Sequence, residues 1–158
     1  MKILIIIVVI FLIFYLVQFF LNGTNKGIVQ ENVTAGEEFL AKNAMQEGVV
    51  TTASGLQYKT FRSGNGDVRP KAADTVTVHY HGTLLDGTVF DSSIERGEPI
   101  SFALNQVIKG WTEGVQLMVV GDKTRFFIPS HLAYGNKSMG RIKGGSTLIF
   151  DVELIAIN

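Results

Sequence analysis

The chain has 158 residues, a length typical of a single domain. Its 14 basic and 14 acidic side chains balance at pH 7, so no long-range field attracts nucleic acid or an anionic membrane surface, and no nucleic-acid partner is predicted. The sequence has no cysteine, which excludes disulfides, thiolate metal sites and cysteine nucleophiles.

The N-terminal segment, residues 3–21, is apolar apart from Gln18. A helix of this length, at about 1.5 Å rise per residue, nearly matches the roughly 30 Å hydrocarbon core of a bilayer. The segment therefore predicts a single transmembrane helix that anchors the chain, over residues 1–21. A cleaved signal peptide is the alternative, but its apolar region normally covers only roughly 7–15 residues and ends in a small-x-small site that is missing here.

The charges that flank this segment predict its orientation. Lys2 and the N-terminal amine precede it, whereas Lys26 follows it together with several glutamates. The small excess of positive charge before the segment predicts that the N-terminus lies on the cytoplasmic side of the membrane. In a bacterium, the C-terminal domain of an anchored chain would then lie in the periplasm, and a cleaved chain would be periplasmic or secreted.

Two short regions follow the predicted anchor. Residues 22–35 are polar, contain glycine and show no period, which is typical of a flexible linker. Residues 36–48 carry apolar residues at helical spacing and end on Gly48, in the role of a helix cap. They predict a short helical lead-in, close to the roughly 12–15 residues below which isolated helices are marginal.

The remaining residues, 49–158, begin with the period of β-strands. Apolar and polar residues alternate over 56–60 and again over 75–81. Asp86-Gly87 lies between two apolar pairs, and an Asp-Gly pair in that setting is a strong hairpin signal because both residues tolerate positive φ. The chain is therefore expected to run strand, turn, strand in this region.

The second half of this domain predicts one helix and further strands. Apolar residues at positions 108, 111, 115 and 118 form one helix face, and residues 100–104, 123–129 and 147–157 alternate as strands do. Residues 131–146 form a loop longer than the usual limit of about 12–15 residues, and such loops are often functional. With one long helix, the sheet must be largely antiparallel and wrapped against that helix, which is an α+β fold.

The stretch 78–93 holds serines, histidines and aspartates that could form a Ser-His-Asp triad. No G-x-S-x-G elbow accompanies them, and Asp86 is used by the turn, so a hydrolase is not predicted. His79 and His81 share one strand face, but a closed zinc site needs more ligands and no carboxylate or thiol is placed beside them. Both histidines are expected to face solvent, and neither a metal nor a cofactor is predicted.

A mostly aromatic and aliphatic set with one carboxylate remains. Trp and Tyr carry polar tips that need partners, and a concave apolar lining with few polar groups is typical of a small-ligand site. A filled core is the alternative for the same residues. The set consists of Tyr80, Phe90, Asp91, Val107, Ile108, Trp111, Tyr134, Ile142 and Phe150.

Four blocks of the sequence resemble, in order and spacing, the signature blocks of FKBP-type peptidyl-prolyl cis-trans isomerases. They are YHGTLLDGTVFDSS (80–93), VIKGWTEGVQLM (107–118), HLAYG (131–135) and STLIFDVELI (146–155). The lead-in over residues 37–59 resembles bacterial envelope FKBPs of the macrophage infectivity potentiator type, in which a long N-terminal helical region makes a homodimer. Here the predicted helix is short, so a monomer and a homodimer both stay open.

The resemblance implies an antiparallel half β-barrel of five or six strands around one α-helix, with a prolyl ring bound between them. Trp111 would form the floor of the pocket. The catalytic residues implied by the matching blocks are Tyr80, Asp91 and Tyr134. The implied substrate-binding residues are Phe90, Arg96, Ile100, Val107, Ile108, Trp111, Ile142 and Phe150.

The activity implied by the resemblance is rotamase activity, the isomerisation of X-Pro bonds during the folding of envelope proteins. The implied partners are prolyl-containing polypeptides and the macrolide inhibitors of this family, with membrane contact through residues 3–21. A prolyl-segment-binding chaperone or assembly module without significant catalysis is the alternative function. An anchored structural protein with a filled core is a third.

Overall fold

The computed structural model describes residues 2–158; Met1 and the side chains of residues 2–11, 19, 20 and 24 are outside that description. The helices are α1 (Lys2–Asn43), α2 (Ser93–Arg96) and α3 (Lys109–Val115). Short 3-10 turns cover Leu104–Gln106 and Ser130–Leu132. The strands are β1 (Val50–Thr51), β2 (Gln57–Arg62), β3 (Thr75–Leu84), β4 (Val89–Ser92), β5 (Ile100–Ala103), β6 (Lys123–Ile128) and β7 (Leu148–Ile157).

The strands form one antiparallel sheet in the order β1-β2-β6-β7-β3-β4, and β5 also pairs with β3. The long strands β3 and β7 lie side by side, from Val76 opposite Ile157 to Leu84 opposite Leu148. This sheet, with one helix in its core, confirms the predicted α+β fold. The described residues form seven strands rather than the five or six that the resemblance implies, and one of the seven is the two-residue strand β1.

Strand β3 and its hairpin agree with the alternation and turn predicted for them. Residues of β3 are alternately buried and half-buried, with Tyr80 and Gly82 on the buried face. The chain then turns at Asp86-Gly87, where Gly87 has a φ of +86° and the Thr88 N–H donates to Asp86 Oδ1 at 2.9 Å. The predicted strand, turn, strand arrangement is therefore confirmed.

Two glycines let helix α3 lie unusually close to the sheet. A Cβ at Gly110 would stand 2.5 Å from Ile128 Cγ2, and a Cβ at Gly114 would stand 2.6 Å from Phe126 Cε1. Ile128 and Phe126 are fully buried residues of β6. The absence of side chains at the two glycines thus brings Trp111, between them on the helix, down onto the core.

Helix α1 differs from the predicted division into anchor, linker and short helix. It runs without a break through residues 22–35, which were expected to form a flexible linker. This region of the helix packs on the sheet domain, and the Asn32 side-chain amide donates to Gly144 O at 2.9 Å. Such tertiary contacts can offset the helix penalty of about 1 kcal/mol for each glycine. Gly48 does not cap the helix and lies in a separate turn beyond Asn43.

The anchor predicted over residues 3–21 falls largely on side chains outside the description. Within the part of the chain that the structure describes, no helix is long and apolar enough to cross a membrane. The apolar side chains from Leu12 to Val17 are described, and they are exposed.

Candidate active site

A cavity of about 470 Å³ opens between helix α3 and the sheet. This volume lies within the range of roughly 300–1,000 Å³ that is usual for small-ligand sites. Strands, α3 and two connecting segments all contribute side chains, so residues distant in the sequence meet there. The cavity is lined by Tyr80, Asp91, Ile100, Phe102, Gln106, Val107, Ile108, Trp111, Tyr134 and Phe150.

The floor of the cavity is aromatic. The Trp111 side chain, only 5% exposed, meets the rings of Tyr80, Phe102 and Phe150 edge-to-face, at centroid distances of 5.4, 5.2 and 5.1 Å. Aromatic pairs in this arrangement contribute about 0.5–1.5 kcal/mol each beyond their buried area. The rings therefore hold one another in place and form a rigid apolar surface.

Sequence reasoning missed Phe102 and Gln106 as lining residues. The strand alternation over residues 100–104 places Phe102 on the same face as Ile100, so the signal for Phe102 was present. Gln106 ends the 3-10 turn Leu104–Gln106, which has no period that could have predicted its position.

Three predicted substrate-binding residues lie outside the cavity wall. Phe90 packs behind Phe150, with ring centroids 5.2 Å apart. These two rings fit together because Gly82 has no side chain: a Cβ there would stand 2.7 Å from Phe90 Cζ and 2.8 Å from Phe150 Cε1. Ile142 is 5% exposed and belongs to the core, while Arg96 approaches the site from the solvent side.

Three polar side chains form a closed network at the rim of the cavity. The Tyr80 hydroxyl donates to Asp91 Oδ2, and the Arg96 guanidinium pairs with Asp91 Oδ1. Arg96 also donates to the Tyr80 hydroxyl at 2.9 Å and lies 5.7 Å from the centre of the Tyr80 ring. The Asp91 side chain is 45% exposed, so its charge stands at the boundary between the cavity and water.

The network fixes the protonation state of its members. Burial and the hydrogen bond with Asp91 raise the pKa of the Tyr80 phenol. Partial burial raises the pKa of Asp91, but the hydrogen bonds from Tyr80 and Arg96 outweigh it and hold that pKa below its usual range. Hydrogen bonds to Tyr80 and Asp91 raise the pKa of Arg96. Around neutral pH the phenol is therefore neutral, and the carboxylate and the guanidinium are charged.

The histidines of β3 lie on the face opposite Tyr80, as expected, but they are only half exposed to solvent because each contacts a serine. His79 Nδ1 lies 3.0 Å from Ser93 Oγ, His81 Nδ1 lies 2.9 Å from Ser92 Oγ, and both rings are half-buried. Ser93 is fully buried and accepts the Tyr80 N–H at 2.8 Å, while Ser92 caps helix α2. A serine with these contacts is inaccessible to a substrate. Among the described residues no cluster of His, Asp and Glu could hold a metal ion.

The fold and the cavity define an α+β protein with an aromatic-floored cavity between a helix and an antiparallel sheet. The family model described as FKBP-type peptidyl-prolyl cis-trans isomerase matches residues 66–155. A second model, described as the domain amino terminal to this isomerase, matches residues 17–60. The chain belongs to the FKBP-type peptidyl-prolyl cis-trans isomerase family.

Relatives and solved structures agree with this assignment and confirm the resemblance seen in the sequence. The chain is 61% identical over 127 residues to the isomerase FkpA of Aeromonas hydrophila, covering 80% of this chain and 47% of the relative. It is 48% identical over 129 residues to the outer membrane protein MIP of Legionella longbeachae, covering 81% and 55%. The crystal structure of FkpA from Escherichia coli superposes with a TM-score of 0.83 at 43% identity, covering 87% of this chain and 64% of that one.

The chain spans about half the length of the curated relatives that it matches, since the aligned regions are 47% and 55% of them.

Proposed function

We propose that the cavity catalyses cis-trans isomerisation of X-Pro peptide bonds in polypeptides of the cell envelope. The observation that carries the proposal is the rigid aromatic floor around Trp111, next to a carboxylate whose charge is fixed by Tyr80 and Arg96. A prolyl ring is compact and apolar and so complements the aromatic floor. The amides on either side of the ring are polar and so complement the polar side chains at the rim.

The proposed chemistry needs no nucleophile. The barrier to rotation of an X-Pro bond, about 18–20 kcal/mol, comes from amide resonance, and no covalent bond breaks. As the amide twists, its carbonyl becomes less dipolar and its nitrogen becomes a better hydrogen-bond acceptor. An apolar pocket stabilises the twisted amide relative to the planar one, which is differential binding of the transition state.

Each part of the site has a separate role in this mechanism. Trp111 and Phe150 pack against the prolyl ring, and Asp91 with Tyr80 sets the electric field around the twisting carbonyl. The Ile108 backbone N–H and the Tyr134 hydroxyl orient the neighbouring substrate carbonyls, since both residues line the cavity.

A refolding reaction limited by prolyl isomerisation tests the proposal. Uncatalysed, this step takes roughly tens to hundreds of seconds, so acceleration by the full chain is readily measured, and an FKBP-directed macrolide should abolish it. On a prolyl peptide, kcat/KM should stay constant from about pH 5 to pH 9, because Asp91 and Tyr80 keep their charge states there. A chain that binds the peptide without accelerating either reaction would be a binding module and not an isomerase.

We also propose that residues 3–21 anchor the chain in a membrane, with the sheet domain in the bacterial periplasm. The apolar composition of this segment supports the anchor, and a relative named as an outer membrane protein supports an envelope location. The anchored chain should stay with the membrane fraction during extraction with alkaline carbonate. Its release into the soluble fraction would favour the alternative, a cleaved leader.

A further inference from the structure

Helix α1 makes very close contact with the segment that completes the cavity, residues 133–147, named here the pocket loop. Gly36 is buried, and a Cβ at this position would stand 2.2 Å from Thr147 Oγ1 and 3.2 Å from Thr147 Cβ. A Cβ at Gly145 would stand only 2.4 Å from Val29 O. The helix backbone at Gly36 therefore lies against the Thr147 side chain, and the loop backbone at Gly145 lies against the Val29 carbonyl, with no room for a side chain at either glycine.

A chain of hydrogen bonds continues from this contact to the cavity. The half-buried Asn32 side-chain amide donates to Gly144 O at 2.9 Å. The next residue, Gly145, donates its N–H to Gly135 O at 2.7 Å, which ties the two ends of the pocket loop together. Gly135 follows Tyr134, whose side chain lines the cavity. The position of Tyr134 thus depends on a contact made by the N-terminal helix.

We propose that α1 is a positioning element of the isomerase site, acting through Asn32 and Gly36 on the pocket loop and hence on Tyr134. The inference rests on the proposed function and adds a role for a helix that lies outside the cavity. A glycine-rich loop has many conformations, and ordering it when a peptide binds would weaken affinity. The contact with α1 orders the loop in advance.

Four single variants of the full chain test this role. Asn32→Ala removes the donor to Gly144 without adding bulk, and Gly36→Ala inserts a methyl group against Thr147. The matched controls lie on the same helix: Asn22→Ala makes the same change at an exposed position away from the pocket loop, and Gly27→Ala adds its methyl where nothing lies within 4 Å.

The readouts are kcat and KM on a prolyl peptide, and the Kd from the fluorescence of Trp111, the single tryptophan of the chain. We expect Asn32→Ala and Gly36→Ala to raise KM and Kd about three- to tenfold while kcat changes less, with both controls close to wild type. Adding Thr147→Ala to Gly36→Ala removes the atom of closest contact and should recover part of the affinity.

Values of KM and Kd for Asn32→Ala and Gly36→Ala equal to those of the controls would overturn the inference. If Gly36→Ala does not fold, the KM and Kd of Asn32→Ala alone test the role of α1. A wild-type chain that binds the peptide but does not isomerise it would refute the proposed function only, since the Kd values would still decide the role of α1.

Discussion

Replacing Asp91 by leucine is expected to leave a folded domain whose kcat/KM for a prolyl substrate is about 100-fold lower, the lower end of the loss expected when one preorganised polar group is removed from a reaction centre. The fold should tolerate the change because the Asp91 side chain is 45% exposed. The activity should not, because Asp91 supplies the only carboxylate among the side chains that line the cavity.

The control is Asp67→Leu, the same change on an exposed loop outside the cavity. Asp91→Asn separates charge from shape: it can keep the hydrogen bond from Tyr80 but loses the charge that pairs with Arg96. A kcat/KM for Asp91→Leu equal to that of Asp67→Leu would remove Asp91 from the mechanism.

Truncating Phe150 to alanine is expected to reduce both stability and ligand binding. Phe150 is 5% exposed and meets Phe90 and Trp111 edge-to-face, so it belongs to the core and to the cavity floor at once. Large-to-small changes of buried phenylalanine cost about 3–5 kcal/mol in free energy of unfolding. Removal of the ring also opens the floor on which the prolyl ring would rest.

The stability change is measured by urea unfolding, and the binding change by titration with a macrolide or a prolyl peptide. Phe61→Ala is the matched control, because the Phe61 side chain is 52% exposed and lies outside the cavity. If Phe150→Ala unfolds at the same urea concentration as Phe61→Ala and binds the ligand normally, Phe150 has neither role.

The sheet domain was predictable because its signals are local. The alternation around Tyr80 and the Asp86-Gly87 pair each depend on a few neighbouring residues, and the structure has the strand and the turn there. The match of four sequence blocks then placed most of the cavity residues. Ile142 lies in the core instead and the partly buried Phe90 packs against it, because a match of blocks shows that a residue is near the site but not which way its side chain points.

The middle of helix α1, which joins the two predicted helical segments, was not predictable in the same way. Residues 22–35 have no apolar face that would indicate a helix, and Gly23 and Gly27 disfavour one. Their packing partners, Gly144 and Gly145, lie more than a hundred positions along the chain, beyond the reach of any local pattern. The partial burial of the histidines was missed for a similar reason, since the serine hydroxyls that they contact come from the next strand and helix.

Strand β7 lies between β6 and β3 in the interior of the sheet, although β3 precedes it by about seventy positions in the sequence. Phe150 therefore takes its place in the cavity only when β7 has paired with a strand that is distant in the sequence. Pairing between such distant segments is slow compared with local folding. Because Phe150 comes from β7, the aromatic floor of the cavity is complete only after this distant pairing has formed.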